Sequence, residues 1–120
     1  MAVNINVSSS AHQKILAHLR TLRGSLEQAR GALMHYKDDR VDRDKLEPAA
    51  RRVDELMNMF ATGMGDAAQG VTWMNGIQGG VDQVVNPKSA AALRDAGVEI
   101  AALVALMKTV GGKDASAGAA

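Results

Sequence analysis

The chain has 120 residues, enough for one domain; 47% are apolar but only 2% are aromatic, a balance that suits helix-on-helix packing better than a β-sandwich. Cysteine is absent, which excludes disulfides, thiol catalysis and cysteine-ligated zinc. The formal charge of +1 gives no general electrostatic reason to bind nucleic acid or an anionic membrane.

Residues 1–10 are predicted to form an extended arm. Val3, Ile5 and Val7 alternate with polar residues, and a period of two is typical of a strand. Because no second strand is predicted, the arm would lie on a helix or on a neighbouring subunit, unless it is a frayed terminus. The segment lacks the basic start and the apolar run of a cleavable signal peptide.

The first helix is predicted over residues 11–37, with Ser10 and Gln13 as a capping box at its start. Its apolar residues alternate steps of four and three, which is typical of a coiled-coil row facing one partner helix. Gly24 and Gly31 fall opposite this row and lower the intrinsic helix stability. The row consists of Ile15, Leu19, Leu22, Leu26, Ala29, Leu33 and Tyr36.

An aspartate-rich polar stretch, residues 38–44, predicts the turn of a helical hairpin. The second helix then begins near residue 44 or 47 and ends near residue 61 or 64. Its apolar row continues the alternation of four and three. In an antiparallel pair centred on this turn, Lys37 would meet Glu47 and Arg30 would meet Asp54. The row consists of Leu46, Ala50, Val53, Met57, Phe60 and Met64.

Residues 63–85 contain six glycines but keep a rough helical spacing of apolar residues. Each glycine lowers helix stability by about 1 kcal/mol relative to alanine. A short, broken helix around Trp73 is therefore predicted, with a loop as the alternative. Trp73 has two possible roles, a core side chain that closes one end of the bundle or an exposed anchor for a partner.

A third long helix is predicted over residues 87–110, with Asn86 as its cap, and Gly111–Gly112 are predicted to end it. Residues 113–120 then form a flexible tail. The second half of this helix is apolar on nearly all sides, which predicts burial against two neighbours. Its longest apolar run, residues 100–107, is too short to span a bilayer.

No catalytic or metal-binding motif is evident, so the sequence predicts a protein that is not an enzyme and needs no cofactor. His12, His18 and His35 have no metal-ligand spacing, and the first two are predicted to be exposed. The aspartate-rich turn has Arg43 where a calcium loop needs glycine. Nucleic-acid binding is a further, weaker alternative, because the basic row on the first helix has no interleaved aromatic residues.

The sequence thus predicts an all-α fold: an antiparallel helical hairpin, a broken glycine-rich segment and a third long helix in a small bundle. The bundle domain spans residues 11–112 between the arm and the tail. The leading functional hypothesis is a self-associating structural subunit of a bacterial virus particle or secretion apparatus, and the alternative is a secreted or adaptor-type protein-binding module. The predicted interface residues are Val3, Ile5, Val7, Trp73, Met74, Ile77, Ala102 and Leu106.

Overall fold

The computed structural model describes residues 10–33 and 37–119, which form a small four-helix bundle. In these two ranges there is no strand, and no helix is long and apolar enough to cross a membrane. The predicted all-α class is therefore confirmed. The helices are α1 (Ser10–Ala32), α2 (Lys37–Ala61), α3 (Ala67–Asp82) and α4 (Ala90–Ala119).

The four helices surround one core in a square arrangement. α1 packs against α2 and α4, and α3 packs against the same two helices, whereas the diagonal pairs α1–α3 and α2–α4 are not in contact along the described ranges. Short connections make neighbouring helices antiparallel. The α1–α4 side and the α2–α3 side are consequently opposite sides of the bundle.

The hairpin of α1 and α2 is present, but its turn lies earlier than predicted. α1 ends at Ala32 and α2 begins at Lys37, so residues 38–44 are helical and Pro48 lies inside α2. The prediction of a polar turn there is wrong for two physical reasons. Carboxylates such as Asp39 are favourable near a helix N-terminus, and Asp39 also finds partners in the distant α3–α4 connection.

The earlier turn moves the hairpin register by one heptad. Arg30 donates to Glu47 at 2.8 Å and Arg23 donates to Asp54 at 2.6 Å, in place of the predicted pairs of Lys37 with Glu47 and Arg30 with Asp54. Glu27 bridges both arginines, and the hydrogen bond to Asp54 is the main cause that raises the pKa of Arg23. Exposed pairs of this kind each contribute only about 0.2–1 kcal/mol to stability. Their main effect is therefore to fix the register between α1 and α2.

The core is made from the predicted apolar rows. Met64 lies beyond the end of α2 and is 67% exposed, Met57 is only partly buried, and Tyr36 lies outside the described residues. The core also takes in His12, although an exposed histidine was predicted there; its ring lies 6.3 Å from that of Phe60. The largest fully buried apolar side chains are Phe60, Ile15, Leu19, Leu22, Leu26, Leu33, Leu46, Leu56, Met74, Leu103 and Met107.

The glycine-rich segment forms one uninterrupted helix, α3, rather than a broken one. The chain enters it through a Schellman turn at Gly63, whose φ is 79°, and Asp66 caps the helix by accepting the Gln69 N–H at 3.0 Å. Gly70 lets α3 approach α4 closely, since a Cβ there would lie 2.5 Å from the Met107 sulfur. Tertiary packing therefore outweighs the low helix propensity.

α4 begins three residues later than predicted and continues beyond its predicted end. Asn86 forms a turn before it, in which its side chain accepts the Lys88 N–H at 3.0 Å and its carbonyl accepts the Ser89 hydroxyl at 3.1 Å. The helix continues through Gly111–Gly112, which were predicted to end it, as far as Ala119. Residues 113–119 are therefore helical rather than an irregular tail, and the predicted arm lies outside the described residues apart from Ser10, which begins α1.

Candidate protein-binding surfaces

The first candidate surface is a groove between α2 and α3, here called the α2–α3 groove. Trp73 lines this groove, and α3 contributes three glycines to it. The lining contains two basic side chains and no carboxylate. Its residues are Lys45, Pro48, Ala49, Arg52, Thr72, Trp73, Gly76, Ile77, Gly79, Gly80 and Gln83.

Trp73 is held in a defined position in this groove. It is partly buried and packs against the core from one side. On the other side, the guanidinium carbon of Arg52 lies 4.1 Å from the centre of the Trp73 ring. Such a stacked cation contributes about 0.5–1 kcal/mol at an exposed site and fixes the ring plane. The indole thus packs against the core and also borders a surface groove, and its role as an anchor for a partner stays a prediction.

Gly76 and Gly79 leave the α3 backbone open to the outside. A Cβ built on either residue meets no atom within 4 Å, so nothing in the described part of the chain requires glycine there. Gly24 and Gly31 on the outer side of α1 are equally open. These four glycines differ from Gly70, where the absence of a Cβ leaves the space that the Met107 side chain occupies.

The second candidate surface is the outward row of α4, here called the α4 ridge. It lies on the α1–α4 side, where Val98 and Asp95 line a shallow pocket with Thr21 and Gly24. Val98 is 64% exposed and is the largest apolar side chain of the row. The others are mostly alanines with the same alternation of four and three. The ridge comprises Ala91, Asp95, Val98, Ala102 and Ala105.

The predicted interface residues fall into separate groups. Met74 is buried in the core, and Ile77 is also buried although it belongs to the lining of the groove. Trp73 borders the groove, Ala102 lies on the ridge, and Leu106 is partly buried against the core. The arm residues Val3, Ile5 and Val7 lie outside the described ranges.

Two contributors to these surfaces were not singled out from the sequence. Arg52 could not be placed over Trp73 by local spacing, because the two residues sit on different helices. Val98 carried an available signal, since it lies seven residues from Ala91 and from Ala105 and falls opposite the buried row of α4.

The polar side chains at the opposite end of the groove serve structural contacts. Asp39 accepts Lys88 Nζ at 2.7 Å and Asn86 Nδ2 at 2.9 Å, and Asp42 accepts the same amide at 3.2 Å. The Lys88 hydrogen bond, followed by that of Asn86, lowers the pKa of Asp39 below its ordinary value of 3.8. This cluster ties the start of α2 to the α3–α4 connection.

The described histidines are engaged by neighbours rather than grouped for chemistry. His18 Nδ1 lies 2.6 Å from a Glu99 carboxylate oxygen, which links α1 to α4. Among the residues that the structure describes, no three histidine or carboxylate side chains are close enough to hold a metal ion.

Comparison with protein-family models, with curated proteins and with solved structures finds no match for this chain.

Proposed function

We propose that the protein is a non-enzymatic structural or assembly subunit that self-associates. The observation that carries this proposal is the set of open helix glycines, Gly24, Gly31, Gly76 and Gly79. Each lowers helix stability by about 1 kcal/mol relative to alanine, and the chain's own described packing does not use the space. A neighbouring backbone at close approach would use it.

The kind of assembly follows the hypothesis drawn from the sequence, a repeated helical subunit in a bacterial virus particle or secretion apparatus. Two surfaces support a repeating contact: the α2–α3 groove and the α4 ridge lie on opposite sides of the bundle. A subunit with two such sides can contact two neighbours at once.

Sedimentation velocity and light scattering over a wide range of protein concentration test the proposal. We expect the weight-average mass to rise with concentration and to fall again on dilution. A mass equal to one chain at every concentration, in physiological salt, would refute self-association.

A second candidate function is a binding module for a different protein. Trp73 stacked by Arg52 at the edge of the groove favours it, since tryptophan and arginine are enriched among residues that dominate binding energy. A chain that stays monomeric at all concentrations would leave this candidate in place. For nucleic acid we expect no retention in a filter-binding titration at low salt.

A further inference from the structure

We propose that the α4 ridge of one copy docks in the α2–α3 groove of the next copy. This inference rests on the proposed self-association and adds the two faces that meet. The ridge is a helix surface of small side chains with one larger apolar residue, and the groove runs between two helices with three glycines in its lining. Binding of a helix in a groove is a recurrent recognition mode.

The two surfaces are similar in length. From Thr72 to Gln83 the groove follows α3 for about 17 Å, and from Ala91 to Ala105 the ridge extends about 21 Å, at 1.5 Å per residue. The alanines of the ridge and the open glycines of the groove permit a short distance between helix axes. Val98 is the side chain large enough to occupy the space above Gly76.

The charges of the two surfaces are complementary. The groove lining includes Lys45 and Arg52 and no carboxylate. Each of the two cations also lies 3.6 Å from a carboxylate of its own helix outside the lining, an exposed pair of the kind that contributes little. The ridge carries one exposed carboxylate, Asp95, one helical turn before Val98. Its basic neighbour Arg94 lines a different pocket, on the α3–α4 side. Docking of the ridge therefore brings Asp95 to the basic edge of the groove.

The position of the faces decides the form of the assembly. Since the ridge and the groove lie on opposite sides of the bundle, each contact leaves a free ridge at one end and a free groove at the other. Contacts of this heterologous type extend into open chains unless the rotation between copies closes a ring. A two-fold dimer through one self-complementary face would instead stop growing at two copies.

The test uses one variant for each face. Val98→Lys blocks the ridge with a charge that the basic groove repels, and Gly76→Gln blocks the groove with a side chain whose Cβ has no atom of its own chain within 4 Å. Both sites are exposed, so circular dichroism should show unchanged helicity. Each variant alone should remain monomeric at concentrations where the natural chain assembles.

Mixing the two variants gives the decisive measurement. The intact groove of the Val98→Lys chain accepts the intact ridge of the Gly76→Gln chain, so we expect a one-to-one dimer that grows no further. The matched controls Val85→Lys and Ala61→Gln place the same side chains at exposed sites outside both faces and should assemble normally.

The possible failures are distinguishable. If the natural chain assembles and both variants assemble equally well, the proposed faces are wrong although self-association stands. If only one variant loses assembly, or if the mixture stays monomeric, the proposed contact between the α4 ridge and the α2–α3 groove is wrong. If the natural chain never assembles, the proposed function fails as well, and binding of an acidic foreign helix becomes the outcome to measure through Trp73 fluorescence.

A charge variant gives an independent readout. Asp95→Lys should weaken association at least severalfold, with a smaller effect at high salt, where the charges are screened. Asp44→Lys makes the same charge change at an exposed site of α2 outside the groove and should leave association unchanged. Equal weakening by both variants would show that net charge, not this contact, is responsible.

Discussion

Gly24 and Gly70 both lie inside helices, yet replacing them by alanine should change stability in opposite directions. At Gly24 a Cβ meets no atom within 4 Å, so Gly24→Ala should gain the intrinsic helix preference of about 1 kcal/mol. With an unfolding entropy of about 2.1 cal/mol/K per residue over 120 residues, that gain raises Tm by about 4 °C.

At Gly70 the new methyl would lie 2.5 Å from the Met107 sulfur and 3.0 Å from its terminal methyl, and Met107 is fully buried. Overpacking of this kind lowers stability by about 1–3 kcal/mol, which exceeds the gain in helix preference. We expect Gly70→Ala to lower the free energy of unfolding by about 1 kcal/mol net.

Thermal and urea unfolding followed by circular dichroism, at protein concentrations too low for association, measure both variants. Met107→Leu, which shortens the opposing side chain, should restore part of the loss when combined with Gly70→Ala, because residues in contact are not additive. The reasoning is refuted if Gly70→Ala is as stable as Gly24→Ala, or if Gly24→Ala is destabilised.

Three further predictions follow from contacts described above. Asp66→Ala removes the cap of α3 and should lower the free energy of unfolding by about 1 kcal/mol. Asp66→Asn should keep most of the stability that the cap provides, because asparagine also caps helices well. The pKa of Asp39 in the folded chain lies below its ordinary value of 3.8. The ionised carboxylate therefore contributes fully to the free energy of unfolding above pH 3.8, and this contribution is lost as the pH falls through the folded pKa. The difference in Tm between the natural chain and Asp39→Asn should shrink over that pH window and vanish below it. Arg52→Ala removes the cation over Trp73 and should increase acrylamide quenching of the single tryptophan, whereas Arg51→Ala, next to it on α2, should not.

The spacing of apolar residues was sufficient to predict the helices and most of the core. Rows such as Leu19, Leu22 and Leu26 are buried as their periodicity indicates. The same logic extends to His12, which lies three residues before Ile15, and this signal was present in the sequence although an exposed histidine was predicted. Periodicity also assigns Met74 and Ile77 to the buried row of α3.

Features that depend on contacts between distant residues could not be predicted. The turn of the hairpin was misplaced because a run of aspartates is equally typical of a loop and of a helix start. The choice between them rests on Asn86 and Lys88, more than forty residues away from Asp39. Likewise, α3 remains a helix because Gly70 meets Met107 and because Asp66 caps it, and neither effect is contained in glycine propensity.

The structure also limits how strong the proposed contact can be. The sequence predicted that the apolar second half of α4 would need two neighbours, and the chain itself already covers the larger side chains of that half, since Leu103 and Met107 are buried and Leu106 packs against the core. What the ridge leaves outside is Val98 and a row of alanine methyl groups. Full burial of an exposed valine contributes at most about 1.5–3 kcal/mol, and association itself costs at least about 4 kcal/mol in lost rigid-body freedom. Burial of Val98 alone therefore does not offset that cost, and the alanine methyl groups, the exposed part of Trp73 and the Asp95 charge must supply the remainder. The contact is weak and reversible, so the assembly and the one-to-one dimer of the two variants should both form only at high protein concentration.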